Sequence, residues 1–405
     1  MDEGTVIIGA GHAGTGIAAA LRAEGYEGPI TLLSAENETP YHRPPLSKTF
    51  LKTDADQAPL LRPATFYCAN RIELRLGTHA TAIDLRERRI SLSNGRALPF
   101  TRLAIATGAR ACRLAVPGGE LDGVRYLRTI DDARQIRSRL HGLDRIVIVG
   151  GGFIGLELAA TLSDMGVSVT LLELADRLMA RAVAPEVSRY FLSLHRAWGV
   201  DVLLGQGLRK VIGNDGLVSA VETTAGRRIE APAVIVGVGV VPNVELAKHA
   251  GAACDNGILV DEYMRAGNDA VVAAGDCAAV KRGAAGKAVR LESVQNASDQ
   301  ARIAAKSLLG RREPLRAVPW FWSDQRDTKL QMAGLANGAD ERVVRGTVEG
   351  GRFSVFQYRA GVLVAVDSVN QPADHLVGRK LLAAGISPTP EQARDPTFDL
   401  KTLLV

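Results

Sequence analysis

Three glycines near the middle of the chain have the spacing of a phosphate-binding loop. They are Gly150, Gly152 and Gly155 in IVIVGGGFIGLELAA, where an apolar β-branched run breaks into glycines and resumes with helical spacing. In a strand–turn–helix unit the first glycine makes the turn, the second lets a pyrophosphate approach the backbone, and the third lets the helix pack on the strand. The N–H groups at the start of the helix then face the anion. This stretch therefore predicts a dinucleotide site.

The same spacing occurs at the start of the chain, where TVIIGAGHAGTGIAAAL carries Gly9, Gly11 and Gly14. One such motif is weak evidence, because glycine-broken apolar runs are common in loops. Two copies in one chain predict two nucleotides, and two nucleotides face to face provide the geometry that hydride transfer needs.

An acidic residue follows each glycine loop by roughly 20 residues, the distance at which a carboxylate binds the ribose of a dinucleotide. Glu36 and Glu173 each end a predicted strand. A surface glutamate at a strand end is the alternative for Glu36. Because a carboxylate accepts from a free 2′-hydroxyl but repels a 2′-phosphate, Glu173 predicts NADH rather than NADPH. Arg177 and Arg181 follow it and could bind the pyrophosphate or weaken that preference.

The four cysteines are widely separated and include no C-x-x-C pair; they are Cys68, Cys112, Cys254 and Cys277. A redox disulfide needs two neighbouring thiols, and an iron–sulfur cluster needs thiolates at motif spacing. We therefore expect ordinary thiols in a reducing compartment, with neither a disulfide relay nor a resident metal.

Length and composition set broad limits. A chain of 405 residues predicts two or three domains, and 46% apolar with 23% charged residues is typical of a globular protein. The net charge of +5 comes from scattered arginines, so we expect no nucleic-acid partner, although a basic face could attract an acidic protein. The chain enters its first strand without a signal-like segment, and the apolar run at 233–241 is too short to span a bilayer. These features predict a cytoplasmic protein without a membrane segment.

Several short motifs occur in a fixed order along the chain. Besides the two glycine loops they are PPLSK at 44–48, LAIATGAR at 103–110, YLRTIDDA at 126–133, VGVGVVPN at 236–243 and VVAAGDCA at 271–278. This order resembles the pyridine nucleotide–disulfide oxidoreductase superfamily. Within it, PPLSK and FWSDQ at 321–325 are similar to segments of the NADH-dependent ferredoxin reductases of the putidaredoxin reductase type, which serve bacterial oxygenases. The resemblance spans essentially the whole chain.

The resemblance implies an α/β fold with two Rossmann-like dinucleotide-binding domains, the second inserted in the first, and a C-terminal α+β domain. We expect the FAD-binding domain at residues 1–112 and 244–321, the NAD-binding domain at 113–243, and the C-terminal domain at 322–405. In the last domain, β-rich segments separated by glycines precede a helical stretch near 373–384.

The resemblance also assigns cofactor-binding residues, with tightly bound, non-covalent FAD in the first glycine loop and NADH in the second. The expected FAD-binding residues are Gly9, Gly11, His12, Ala13, Gly14, Glu36, Arg43, Lys48, Ala80, Thr107, Gly108, Arg128, Asp276, Val294 and Trp322. The expected NADH-binding residues are Gly150, Gly152, Ile154, Gly155, Glu157, Glu173, Arg181 and Gly237. Further alternatives are open here, because Asp276 could open a helix, alone or together with its FAD role, and Trp322 could pack at a domain joint.

Lys48 and Glu157 are the expected catalytic residues. A buried carboxylate is costly unless it is paired, and the resemblance places the lysine of PPLSK beside the flavin. We therefore expect an ion pair between them where flavin and nicotinamide meet, holding the charge steady during hydride transfer. A solvent-facing glutamate and an unrelated lysine are the alternative.

The expected electron acceptor follows from the missing cysteine relay. Flavin can take a hydride and release single electrons, which suits a two-iron ferredoxin with an acidic surface that feeds an oxygenase, often a cytochrome P450. Arg302, Arg311 and Arg312 are candidates for docking it. Rubredoxin, a quinone or monodehydroascorbate are alternative acceptors, and a quinone enzyme would need a membrane-facing C-terminus such as DPTFDLKTLLV. Outside enzymes, the alternative is an NADH-sensing flavoprotein of the apoptosis-inducing factor type.

Overall fold

The computed structural model describes residues 4–281 and 286–404. The chain divides into two compact units. The first unit comprises Met1–His42, Pro59–Arg110 and Val240–Ala317, and the second comprises Arg43–Ala58, Ala111–Gly239 and Val318–Val405. The boundaries given above for the FAD, NAD and C-terminal domains stay a prediction.

A five-stranded parallel sheet forms the centre of the first unit. Its strands, in spatial order, are Val271–Ala273, Arg102–Ile105, Thr5–Ile8, Ile30–Leu33 and Ile72–Arg75. The first four are mainly apolar and almost wholly buried, as expected for a parallel sheet covered on both faces, whereas the edge strand carries the exposed Glu73. The helices His12–Ala23 and Val294–Leu308 pack against each other and against this sheet.

Shorter elements complete the first unit. They are the helices Ala64–Ala69 and Glu245–His249, the antiparallel strands Ala80–Asp84, Arg89–Leu92 and Ala97–Pro99, and a sheet of Cys254–Asp255, Gly257–Val260, Ala278–Val280 and Val289–Arg290. The chain passes between the units at the short strands Ala109–Ala111 and Val240–Pro242.

The second unit contains another five-stranded parallel sheet. Its strands, in spatial order, are Asp201–Leu204, Ser168–Glu173, Arg145–Val149, Val234–Val236 and Val124–Tyr126. The accompanying elements are the helices Ile130–Leu140, Phe153–Asp164 and Pro185–Ala197, and the antiparallel strands Leu208–Asn214, Leu217–Thr223 and Arg228–Glu230. The proline-rich segment forms a 3-10 helix, Pro44–Ser47, and a single helical turn, Thr49–Lys52. Proline suits the first position of such a helix because its φ is already set.

The last part of the second unit is an antiparallel sheet followed by helices. The strands, in spatial order, are Trp320–Gln325, Thr328–Gly334, Val362–Val369, Arg352–Arg359 and Glu341–Thr347. The helices are Pro372–Ala384, Pro390–Arg394 and the 3-10 helix Leu400–Leu404. The predicted fold class is confirmed, as is the helical stretch near 373–384. Within residues 4–281 and 286–404, no helix is long and apolar enough to cross a membrane.

The C-terminal segment packs into this domain. Leu400 is buried, and Phe398, Leu403 and Leu404 pack against the same core. Arg345 holds the preceding turn by donating hydrogen bonds to the backbone carbonyls of Ala393, Asp395, Pro396 and Phe398. These four apolar side chains are therefore packed within the domain.

A buried carboxyl, Asp367, gives this unit a pH-dependent stability. It accepts hydrogen bonds from the Ala184 backbone N–H at 2.8 Å and from Gln357 Nε2 at 2.9 Å. Burial raises its pKa to about 7 from an ordinary value of 3.8. The folded protein therefore binds this proton more tightly than the unfolded chain, and stability falls as pH rises from about 4 to about 7.

Replacing Asp367 by asparagine is expected to raise stability near pH 8 by on the order of 2–4 kcal/mol and to flatten its pH dependence. The amide keeps the acceptor for Ala184 and carries no charge that must be buried. Thermal unfolding at about pH 5 and about pH 8 measures the effect. Asp327→Asn, in an exposed turn of the same sheet, is the control and should leave the profile unchanged. An Asp367→Asn profile parallel to that of the wild type would contradict the prediction.

Candidate active site

Each parallel sheet has one point where the strand order reverses. In the first unit it is at Thr5–Ile8, which lies between Ile30–Leu33 and Arg102–Ile105. In the second unit it is at Arg145–Val149, between Ser168–Glu173 and Val234–Val236. Sheets of this kind bind ligands at the carboxyl ends of the strands beside the reversal. Both predicted glycine loops begin at these ends.

The first glycine loop contains two glycines that the protein itself requires. Gly9 has a φ of +103°, and a Cβ there would lie 2.2 Å from the carbonyl oxygen of Ala106. A Cβ on Gly14 would lie 1.8 Å from the carbonyl oxygen of Gly9. No atom of the described protein lies within 4 Å of a Cβ placed on Gly11. The protein's own packing does not explain that glycine, whereas the approach of a phosphate does.

The second loop repeats this arrangement. A Cβ on Gly150 would lie 2.4 Å from the carbonyl oxygen of Gly237, and one on Gly155 would lie 1.9 Å from that of Gly150. A Cβ on Gly152 meets no atom of the described residues within 4 Å. Neither following helix has a side-chain cap at its N-terminus, which is a favourable position for an anion. Both loops therefore fit the diphosphate of a dinucleotide.

Several predicted FAD-binding residues lie at the same edge of the first sheet. Glu36, Thr107, Gly108 and Asp276 follow neighbouring strands at their carboxyl ends. The Glu36 carboxylate accepts a 2.5 Å hydrogen bond from the Tyr41 hydroxyl. The topology thus brings these four residues and the first glycine loop together.

Asn243 forms hydrogen bonds with the residues that follow the strand Arg102–Ile105. Thr107 Oγ1 donates to the Asn243 carbonyl at 2.7 Å, and Asn243 Nδ2 donates to the Thr107 carbonyl at 2.9 Å. The Asn243 backbone N–H also bonds the carbonyl of Gly108 at 2.9 Å. Sequence reasoning missed this residue, although it ends the motif VGVGVVPN.

The loop around Asp276 is attached to the helix Val294–Leu308. Gln300 Oε1 accepts from the Gly275 backbone N–H at 2.7 Å. The helix begins at Val294, and the side chain of Ser293 caps it. The alternative that Asp276 opens a helix is wrong, because the residues after it form the strand Ala278–Val280.

The remaining predicted FAD-binding residues lie in different places. His12 Nε2 lies 3.3 Å from His42 Nδ1, and burial lowers the pKa of His42. Ala13 is buried in the first turn of its helix, and Ala80 begins an antiparallel strand and packs against the core. The other four, Arg43, Lys48, Arg128 and Trp322, belong to the second unit, and their roles stay predictions. Arg43 Nη1 donates to the Arg128 carbonyl at 2.7 Å.

In the second unit, Glu173 is fixed at its glycine loop. Its carboxylate accepts from the backbone N–H groups of Gly151 at 2.6 Å and Ala175 at 2.7 Å. Ile154, in the first helical turn, is 42% exposed. Arg181 is exposed, with one guanidinium nitrogen 3.8 Å from a Cβ built on Gly239.

The alternative that Arg177 binds the pyrophosphate is not supported. Its guanidinium donates to the Ser188 hydroxyl at 2.8 Å and to the carbonyls of Val183 at 2.9 Å and Ala180 at 2.5 Å. These bonds hold the guanidinium inside its own loop.

The predicted ion pair between Lys48 and Glu157 is present. Lys48 Nζ lies 2.8 Å from Glu157 Oε2, with 19% of the lysine side chain and 4% of the glutamate side chain exposed. Glu157 lies on the helix Phe153–Asp164, which is buried on nearly every face. Thr161 of that helix donates to the Ser47 carbonyl at 2.9 Å and so attaches the lysine segment.

Two serines that sequence reasoning missed also bind the Glu157 carboxylate. Ser47 Oγ donates to Oε2 at 2.6 Å, and Ser323 Oγ donates to Oε1 at 2.8 Å. Both lie in motifs already noted, PPLSK and FWSDQ. Charge-assisted hydrogen bonds of this kind offset the cost of burying a carboxylate.

Two of the three candidate docking arginines are paired. Arg302 forms an ion pair with Asp299, and Arg311 with Glu24. Arg312 is exposed. A positive docking surface made of these three side chains is therefore weaker than their sequence indicates.

The chain has a dinucleotide loop at the reversal point of each parallel sheet, and Glu157 on the helix of the second loop forms a buried ion pair with Lys48. These features define a nucleotide-dependent oxidoreductase. The chain matches the pyridine nucleotide-disulphide oxidoreductase family over residues 4–301 and the reductase C-terminal family over residues 320–404. It belongs to the pyridine nucleotide-disulphide oxidoreductase family, whose members use FAD and NAD(P)H. The family predicted from the sequence is confirmed.

Individual relatives extend over the whole chain. Rhodocoxin reductase of Rhodococcus erythropolis is 47% identical over 397 residues, which cover 98% of this chain and 93% of the relative. A solved ferredoxin reductase from Rhodopseudomonas palustris has a TM-score of 0.96 and 43% identity, covering 99% of this chain and 100% of that one. The covalent putidaredoxin reductase–putidaredoxin complex gives a TM-score of 0.94 and 40% identity, covering 99% and 98%.

Proposed function

We propose that this chain is an NADH-dependent ferredoxin reductase. It passes electrons through FAD to a two-iron ferredoxin, which supplies an oxygenase such as a cytochrome P450. The observation that carries the proposal is two fully formed dinucleotide loops in a chain whose four cysteines are all free. The bound FAD supplies an acceptor for hydride that can give up its two electrons singly. One NADH therefore reduces two ferredoxin molecules and leaves NAD⁺ and one proton.

The residues of the second loop support NADH as the donor. Glu173 is held by two backbone N–H groups, so its carboxylate stays at the loop with lone pairs left for a ribose hydroxyl. A 2′-phosphate at this position would meet a fixed negative charge. Glu157, on the helix that follows the loop, forms a buried ion pair with Lys48, and this pair orients groups at the nicotinamide end without adding net charge.

The relatives support ferredoxin as the acceptor, because one is a ferredoxin reductase and another is solved together with putidaredoxin. The C-terminal segment gives no support to a membrane-facing quinone reductase, since its apolar side chains from Phe398 to Leu404 pack in the domain core. We place the protein in the cytoplasm, where its four thiols would stay reduced.

Anaerobic stopped-flow spectroscopy of the purified holoenzyme tests the proposal. We expect NADH to reduce the flavin much faster than NADPH does. The reduced enzyme is then offered two-iron ferredoxins, rubredoxins and a soluble quinone. Fast oxidation by a ferredoxin, with two ferredoxins reduced for each NADH, is the expected result. Failure of every iron–sulfur carrier, or a single slow oxidation of NADH without turnover, would overturn the assignment.

A further inference from the structure

The hydrogen bond from Ser323 to Glu157 is the last in a buried series. Gln325 Nε2 donates to Ser323 Oγ at 3.3 Å, and Gln325 Oε1 lies 2.7 Å from His195 Nε2. Glu157, Ser323, Gln325 and His195 are each at most 3% exposed. Four polar side chains from two helices and one strand therefore form a connected line away from solvent.

The direction of these bonds follows from the chemistry of each group. Since the Gln325 amide nitrogen donates to Ser323, its oxygen must accept from His195 Nε2–H. His195 Nδ1 then carries the lone pair, and within the described residues this atom is buried with no hydrogen-bond partner. Burial also lowers the pKa of His195 to about 4, so the ring is neutral. Every donor in the line thus points towards the Glu157 carboxylate.

Packing fixes the strand that carries Ser323 and Gln325. Alternate residues of a strand share a face, so Phe321, Ser323 and Gln325 point the same way. The Phe321 ring lies 4.7 Å from that of Phe153, which begins the helix of Glu157. At the far end, the Trp198 ring lies 5.0 Å from that of His195. The line is therefore held between packed aromatic rings.

The two carboxylate oxygens of Glu157 have different hydrogen-bond donors. Oε2 receives Lys48 and Ser47, whereas Oε1 receives only Ser323 among the residues that the structure describes. Without that hydroxyl, a buried carboxylate oxygen would lack a donor, and the carboxylate could rotate away from Lys48.

We propose that Ser323 and Gln325 are positioning residues for hydride transfer, which hold the Glu157 carboxylate oriented against Lys48. This inference rests on the proposed function, because it takes Glu157 to face the nicotinamide. Ser323 contacts the carboxylate directly, and Gln325 orients the Ser323 hydroxyl so that its proton points to Oε1. His195 orients the Gln325 amide in turn.

Replacing Ser323 by alanine should slow flavin reduction by saturating NADH roughly tenfold, the scale of one hydrogen bond to a buried charge. Gln325→Leu should act in the same direction but less strongly, and Ser323→Thr should restore the rate. Ser354→Ala is the matched control, since it removes an equally buried hydroxyl of the same sheet that bonds only Ser368 among the described residues.

A double variant separates positioning from general structural damage. In a Glu157→Gln background, Ser323→Ala should cause no further loss, because its effect acts through the missing carboxylate. If the losses of the two single variants multiply in the double variant, or if Ser323→Ala keeps the wild-type rate, the inference is overturned. The measurement needs no ferredoxin. If NADH does not reduce the flavin of the wild-type enzyme, the proposed function fails. If NADH reduces the flavin of the wild type and of Ser323→Ala at the same rate, only the positioning role is refuted.

Discussion

Replacement of Glu157 by glutamine is expected to slow reduction of the bound flavin by NADH by about 100-fold, the scale seen when one preorganised charged contact is removed from an active site. Glutamine has a similar shape but no charge. Its NH₂ group is a donor and cannot accept the hydrogen bonds that Lys48 and Ser47 donate to the carboxylate. The Lys48 ammonium, 19% exposed, would then lack its counter-charge. Stopped-flow absorbance of the flavin measures the effect. A Glu157→Gln enzyme reduced at the wild-type rate would exclude a role for this carboxylate in hydride transfer.

The chain offers a matched control on the same two segments. Lys52 and Asp164 form an ion pair at 2.5 Å between the lysine segment and the helix of Glu157, but their side chains are 37% and 43% exposed. Exposed pairs contribute little, so Asp164→Asn should leave the hydride-transfer rate unchanged. A double-mutant cycle of Lys48→Met and Glu157→Gln should show losses that do not multiply, because the two residues act as one unit. If Asp164→Asn slowed hydride transfer as much as Glu157→Gln does, the result would instead indicate that the helix has moved.

Features that depend on contiguous sequence could be predicted well. Each glycine loop lies between one strand and one helix, so Gly9 and Gly150 could be identified from spacing and local periodicity. Thr107 and Asp276 were assigned through the family resemblance, and the structure places both, with Glu36, at the carboxyl ends of strands in the first parallel sheet. The alternative for Asp276 failed because a buried apolar stretch after an aspartate suits a strand as well as a helix.

Contacts between distant segments could not be predicted in this way. The ion pair of Lys48 and Glu157 was inferred from a family resemblance, and no local pattern joins those positions. Ser323 was missed because its role depends on which face of its strand meets the helix of Glu157, and that is decided by packing such as that of Phe321 on Phe153. The pairing of Arg311 with Glu24 likewise joins positions far apart in the sequence.

Replacing Gly152 by valine is expected to weaken NADH binding by about 100-fold, or roughly 2.7 kcal/mol, while the fold and the FAD content stay intact. Gly152 has a φ of −81° in an extended conformation that valine adopts readily. A Cβ there meets no atom of the described protein within 4 Å. The space beside that Cβ is open, whereas a phosphate bound at the loop would meet the new side chain. Titration with NADH, with flavin absorbance and thermal unfolding as checks, measures the effect.

The two outer glycines of the loop cannot serve for this test, because a Cβ on Gly155 would lie 1.9 Å from the carbonyl oxygen of Gly150 and would disturb the fold itself. Gly11→Val is the proper counterpart, since Gly11 is equally open and lies in the loop assigned to FAD. It should yield protein with little flavin, whereas Gly152→Val should yield yellow protein that responds poorly to NADH. Loss of FAD from Gly152→Val, together with a yellow Gly11→Val protein that binds NADH poorly, would reverse the assignment of the two loops. Unchanged binding in both variants would mean that neither second glycine faces a phosphate.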